Sequence, residues 1–261
     1  VEDAHGFRAT VEQSTRRRER LDHDRASLTS RREPLIELRF DVRRAHDAAQ
    51  REIESLSTRR NNLPADLDRV RRSVCDALSL DPEEIPFAGE LLAVLPAYSA
   101  WRGAAERVLR GFALTMLVPQ QHYATVSQWV NDNRLNARLV YRRVPERRVR
   151  AMPAALSGRR LVDVIDIEPG SFADYLAAEL ARRADHVLTE SVDELRREDR
   201  AVTLEGLVRE GERHEKDDRR RASDPRTWVL GRGSEQKIAA LGEERDACAI
   251  DLRNLDADLV T

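Results

Sequence analysis

Residues 21–77 read LDHDRASLTSRREPLIELRFDVRRAHDAAQREIESLSTRRNNLPADLDRVRRSVCDA. Within them Leu21, Leu28, Leu35, Val42, Ala49, Leu56, Leu63, Val70 and Ala77 recur every seventh position, and all nine are apolar. In a chain with 41% apolar residues, chance gives such a run well under about 1% of the time. A patchier second row holds Leu38, Ala45, Ile53, Leu67 and Val74, and Arg, Glu, Asp and Gln fill the space between. This is the pattern of a coiled-coil helix with a solvated outer face. Pro34 removes an amide donor and is expected to kink or split that helix. Asn61-Asn62-Leu63-Pro64 reads as a stop and restart, a joint at 61–64 in an outgoing arm over 1–80.

The other end of the chain repeats the theme. Ile238, Leu241, Arg245, Cys248, Leu252, Leu255 and Leu259 alternate spacings of three and four, and Gly231-Arg232-Gly233-Ser234 offers a turn with a Ser cap before them. Two such helices of opposite direction are expected to pair antiparallel, with 234–261 as the returning arm. The core of the pair would include Leu56, Leu63, Val70, Ile238, Leu241, Leu252 and Leu255.

Residues 81–233 differ in texture, and all three Trp and all four Tyr fall there. Strands are predicted near Glu90–Leu95, Leu114–Val118, Leu139–Val144, Leu161–Ile167, His186–Leu188, Val202 and Trp228–Leu230. Helices are predicted near Ala97–Gly111, Gln121–Asn131, Phe172–Ala184 and Val192–Glu198. The expected fold is therefore a small α/β (α+β) globule in two parts, about 81–145 and 160–233, at the tip of an antiparallel coiled coil.

Composition agrees with long solvated helices. Of the 261 residues 35% are charged and only 5% aromatic, with a mean hydropathy of -0.61. The net charge of -2 gives no bulk attraction to nucleic acid. Only Lys216 and Lys237 among the 45 basic residues are lysines, an Arg bias that a GC-rich coding sequence accounts for. Cys75 and Cys248 lie far apart and match no metal spacing, as in a reducing cytosol. No apolar run approaches the roughly 20 residues of a membrane span, and no signal peptide is visible at the start. The expected location is the cytoplasm, in association with the nucleoid. The chain opens at Val1 and closes at Thr261 in helix-like sequence, as an excised piece of a longer protein would.

Catalytic patterns are weak. No GxxxxGK[ST] phosphate loop occurs, and Gly231-Arg232-Gly233 with Lys237 has the wrong spacing for one. His214-Glu215-Lys216-Asp217-Asp218 gathers a His, three carboxylates and an amine. Adjacent Glu215 and Lys216 would point to opposite faces of a strand, so a salt-bridged turn or interface is the better reading than a metal-dependent nuclease. His5, His23, His46, His122 and His186 are scattered. No catalytic, cofactor or metal site is expected in this stretch.

Charge is distributed unevenly. Residues 137–160 hold eight Arg (138, 142, 143, 147, 148, 150, 159 and 160) against Glu146, leaving +7, whereas 161–208 hold twelve acids against five Arg, leaving -7. Two readings stay open beside the Arg bias. Arg142, Arg143, Arg147, Arg148, Arg150, Arg159 and Arg160 form a DNA-facing strip, or complementary patches orient two copies. Leu139, Tyr141, His214 and Asp217 are the candidate dimer-interface residues.

Local motifs add a resemblance. Phe87-Ala88-Gly89-Glu90-Leu91-Leu92, Trp101-Arg102-Gly103-Ala104-Ala105-Glu106-Arg107-Val108-Leu109 and Leu117-Val118-Pro119 resemble, in order, the hinge of MukB-like SMC proteins of the MksB/JetC/EptC group. So do His122-Tyr123, Trp129-Val130 and His214-Glu215-Lys216-Asp217-Asp218-Arg219-Arg220-Arg221. The likeness covers about 81–240, and the glycine-rich motif of ordinary SMC hinges is missing. It implies a hinge homodimer in a plasmid-restricting, loop-extruding Wadjet condensin. The full-length protein would be an ATPase with kleisin, accessory and nuclease subunits and no membrane partner, and DNA contact at the hinge would be weak. The alternative is a DNA-binding or nuclease module on a coiled-coil stalk.

Overall fold

The computed structural model describes residues 2–59, 61–146, 160–219 and 221–260. Two compact units divide the chain: Val1–Arg51 with Gly242–Thr261, and Glu52–Leu241. Helix α1 runs over Glu2–Arg59 and α7 over Glu235–Val260. Of the expected kink or split at Pro34 the split does not occur, since Pro34 lies inside a continuous α1. Its position is exposed, so water can take over the carbonyl it leaves without an amide partner.

In the first unit α1 and α7 run antiparallel. Arg39 Nε donates to Asp256 Oδ1 at 2.5 Å, and Arg245 donates to Gln50 Oε1 at 3.2 Å. Eleven residues up one helix thus match eleven down the other. Ala49, Leu252 and Leu255 are buried in this unit, and Leu35 and Val42 half-buried. That register sets Val260 across from about residue 35. Leu21 and Leu28, which the heptad row also predicts as core, are instead 59% and 55% exposed, because α7 does not reach them. Leu38 of the second row is exposed as well.

The second unit is a mixed helix-and-strand domain with two apolar clusters. Helix α2 (Ala65–Leu78) belongs to it rather than to the arm. Leu63, Leu67 and Val74 pack with Ile85, Phe87, Met116, Val118 and Val126. The heptad therefore continues past the 61–64 break, but its partner there is a mixed layer of β2, α4 and the segment at Ile85 and Phe87. Val70, Leu56 and Leu241 are also buried, and Ile238 is half-buried.

The remaining elements form an internal repeat. In the first half a 3-10 turn (Ala88–Leu91) leads to β1 (Leu92–Val94), α3 (Arg102–Ala113), β2 (Thr115–Pro119), α4 (Gln120–Asp132) and β3 (Val140–Val144). In the second, a 3-10 turn (Leu161–Val164) leads to β4 (Ile165–Ile167), α5 (Ala173–Arg183), β5 (Val187–Thr189), α6 (Val192–Leu195) and β6 (Arg200–Thr203). Equivalent turns start alike: the Glu90 carboxylate accepts from Phe87 N, and the Asp163 carboxylate from Arg160 N. Equivalent bridges close them, Phe87 with Met116 and Arg160 with Val187. The halves join where β1 and β4 pair antiparallel, Ala93 opposite Asp166, as a local two-fold requires. In each half the last two strands pair parallel, β2 with β3 and β5 with β6. Alternate side chains of β2 serve both cores, Leu117 one and Met116 with Val118 the other.

The predicted strands at Glu90–Leu95 and Leu161–Ile167 are half right, since each opens as a 3-10 turn. The strand predicted at Trp228–Leu230 is absent. There the Val229 and Leu230 amides donate to the buried Glu106 carboxylate at 2.9 and 3.0 Å in place of a ladder partner. A hairpin unforeseen from sequence follows β6: β7 (Val208–Glu210) and β8 (Arg213–Glu215), joined by a two-residue loop with Gly211 at φ 59°.

Candidate functional site

The repeat exposes one difference between its halves. In the second, the free edge of β6 is covered by β7, and β8 extends the sheet in the order β5-β6-β7-β8. In the first, the equivalent strand β3 pairs with β2 alone, and no strand covers its other edge among the described residues. β8 is likewise an outer strand, with all three residues exposed. Among the described residues, then, no further strand pairs with the outer edge of β3 or of β8. Unpaired amides and carbonyls along such an edge are a template for another strand.

Side chains at β3 are held from beneath. Leu139 and Tyr141 are half-buried against the cluster around Met116. The Tyr141 hydroxyl donates to Ser127 Oγ at 3.3 Å, and its ring lies 6.3 Å from that of Tyr123. Arg143 sits over the Tyr123 ring at 5.6 Å. At β8, Arg213 and Glu215 pair with each other, and His214 is exposed, its Nδ1 3.3 Å from Glu212 O.

The run after β8 forms contacts within the chain. Lys216 Nζ donates to Glu205 O at 2.9 Å. Asp217 binds Arg219 at 2.8 Å and Arg107 at 3.1 Å. The hydrogen bonds from Arg219, with the nearby Arg107 charge, hold the Asp217 carboxyl well below the usual carboxylate range. Of the candidate interface residues, Leu139 and Tyr141 therefore flank one edge and His214 the other, while Asp217 anchors the loop that follows.

Two described members of the basic strip make contacts within the chain. Arg142 faces Glu179 at 3.7 Å, and Arg160 pairs with Asp185. Both acids belong to the negatively charged half, so part of the charge asymmetry is cancelled inside one chain. Arg147, Arg148, Arg150 and Arg159 lie outside the described residues.

Sequence reasoning missed the buried polar groups that fix this unit. Asn62 Nδ2 faces Leu230 O, Gly231 O and Gly233 O at 3.1, 3.3 and 2.7 Å, and Lys237 Nζ donates to Asn62 O at 3.1 Å. They tie the 61–64 break to the segment that opens α7. Arg71 bridges Asp68 at 2.9 Å and Glu90 at 2.5 Å, all three buried. Burial pushes the Glu106 carboxyl up despite its two amide donors and Arg102 at 4.0 Å. A lone buried Glu or Asn carries no periodic signal. The Asp68–Arg71 spacing of three and the Arg102–Glu106 spacing of four are the helical signals among them.

No family model matches the chain, and no curated protein does. Among solved structures it is similar to the SMC hinge domain of Geobacillus stearothermophilus, crystallised as an asymmetric dimer. The identity is 16% over 90% of this chain and 95% of that one, with a TM-score of 0.48. It is also similar to a Pyrococcus furiosus Smc hinge domain with an extended coiled coil, at 19% identity over 90% and 86%, TM-score 0.40. A third likeness is to the folded elbow of cohesin, at 16% identity over 92% of this chain and 37% of that one, TM-score 0.47.

Proposed function

We propose that the Glu52–Leu241 unit is the dimerisation hinge of an SMC-type protein, with α1 and α7 belonging to its coiled-coil arm. One observation carries the reading: among the described residues β3 has no counterpart to the strand that its equivalent, β6, has in β7. A second copy supplies it with least distortion. The exposed β8 edge of each copy pairs with β3 of the other, giving two identical contacts about a two-fold axis. Leu139 and Tyr141 provide the apolar part at one edge, His214 lies at the other, and Asp217 sets the loop beside it.

The finer reading rests on the ordered motifs between Phe87 and Arg221. It places the chain in a MukB-like SMC protein of the MksB/JetC/EptC group, part of a plasmid-restricting Wadjet system that extrudes DNA loops. The full-length protein would then hydrolyse ATP and work with kleisin, accessory and nuclease subunits, near the nucleoid in the cytoplasm. The hinge itself would touch DNA weakly, through Arg side chains of the 138–160 stretch.

Mass by light scattering tests the core of this proposal. A dimer that persists on dilution is expected, and Leu139→Glu with His214→Glu should return it to monomer by placing carboxylates at both edges. A chain that is monomeric at every concentration, or a double variant that stays dimeric, would show the edges to be uninvolved.

A further inference from the structure

A cleft of about 520 Å³ opens between α3, β3, α5 and the paired strands β6 and β7. Its polar wall is dominated by guanidinium groups. Arg142, Arg182 and Arg183 converge on a single carboxylate, Glu179, whose side chain is only 4% exposed. Arg183 Nε donates to Glu179 Oε2 at 2.8 Å, and Arg142 lies 3.7 Å from the same oxygen. On the opposite wall Arg200 reaches Glu210 at 3.3 Å and Arg182 O at 2.8 Å. Four cations of the lining face two carboxylates, and Arg213 of β8 also reaches Glu210 at 3.5 Å, so the cleft keeps an excess of positive charge at both ends.

The arrangement is preorganised and accessible. Glu179 holds three guanidiniums in place from below, yet the Arg142, Arg183 and Arg200 side chains remain 45, 35 and 34% exposed. Guanidiniums held with free N–H donors match phosphate oxygens in bidentate fashion. Two foci of charge, one around Glu179 and one at Arg200, suit two adjacent phosphoryl groups better than one. The apolar floor is already occupied: Phe112 is 5% exposed, with the Arg183 guanidinium 4.9 Å from its ring centre. No bare aromatic face is left on which a nucleobase would stack.

We propose that this cleft binds a condensed phosphate, recognised through its adjacent phosphoryl groups. The cleft includes Arg142 of β3 but none of Leu139, Tyr141, His214 and Asp217, so the Leu139→Glu with His214→Glu variant separates phosphate binding from dimerisation. Gly111 supplies a clean test. It lines the cleft, and a Cβ built on it meets no atom within 4 Å, so side chains added there enter the cleft without disturbing the core.

Titration calorimetry of the 261-residue chain with tripolyphosphate, and separately with ADP, is the experiment. Duplex DNA serves as competitor and sodium sulfate at matched ionic strength as control. One tripolyphosphate per chain is expected, with a dissociation constant below about 1 mM. Gly111→Glu should weaken it at least about tenfold, as should Arg142→Gln with Arg200→Gln, whereas Gly111→Ala binds like the parent. Circular dichroism melts establish that each variant is folded. ADP binding in competition with tripolyphosphate identifies a nucleotide's phosphates as a second source of the same chemistry. Absence of saturable binding, equal binding of sulfate, undiminished binding by folded Gly111→Glu, or DNA binding that tripolyphosphate does not displace would each overturn the assignment.

Discussion

Buried polar side chains decide more of this domain than its composition suggests. Glu106 satisfies the Val229 and Leu230 amides that would otherwise be orphaned in the core. Glu106→Ala leaves both without a partner, and urea denaturation should show a loss of about 1–3 kcal/mol. His186 is fully buried on the strand side of the second half, with Glu210 3.4 Å away and Arg200 and Asp185 nearby. Burial first, and then the Arg200 charge, depress its pKa, while Glu210 and Asp185 act in the opposite direction. The unfolded chain therefore binds a proton that the folded one refuses. Stability from this site is present above the unfolded value of about 6.5 and is lost as pH falls from there toward the folded pKa, at up to about 1.4 kcal/mol per pH unit. Urea midpoints taken across that window should fall for the parent and change less for His186→Gln. An unchanged slope in the variant would assign the effect to another group.

At the scale of elements, helix α3 carries a position that is not optimal for helicity. Gly111 sits in its last turn with open space where a Cβ would go, so Gly111→Ala should raise stability by about 0.5–1 kcal/mol, read from the urea midpoint. Helix α7 depends on packing rather than propensity. Leu252 and Leu255 are buried on its α1-facing side, and Asp at both should speed amide exchange over residues 245–260. The mass of the assembly should stay unchanged, because the proposed contacts lie in the Glu52–Leu241 unit. Loss of the dimer in that variant would move the interface to the helices.

For the whole molecule the central expectation is a two-fold dimer closed by strand edges. Charge then affects encounter and orientation more than affinity. Light scattering in about 0.5 M salt should still give a dimer, because screening acts on exposed pairs and far less on a packed edge. Any DNA binding should fade steeply over the same range. Dissociation at that salt would make the interface mainly electrostatic. Arg142 with Glu179 and Arg160 with Asp185 already argue otherwise, since charges of opposite halves meet within one chain.

The sequence by itself determined the elements whose signal is periodic. The seven-residue row announced α1, the spacing of three and four announced α7, and alternating apolar runs located β2, β3, α4 and α5 to within a residue or two. These follow from local geometry, 3.6 residues per turn or two per pleat, which a single chain displays directly. What covers each apolar row was decided only in three dimensions. The same heptad row faces a helix at Ala49, a mixed strand-and-helix layer at Leu63 and solvent at Leu21. The tertiary structure alone also turned Trp228–Leu230 from a strand into a carboxylate-capped segment, and paired β1 with β4 across the repeat. It likewise gave β6 a covering strand that β3 has no match for among the described residues, and gathered Arg142, Arg183 and Arg200 around one cleft. Each of these joins residues dozens of positions apart through burial and hydrogen bonding, and such pairing leaves no period in the chain for a reader to find.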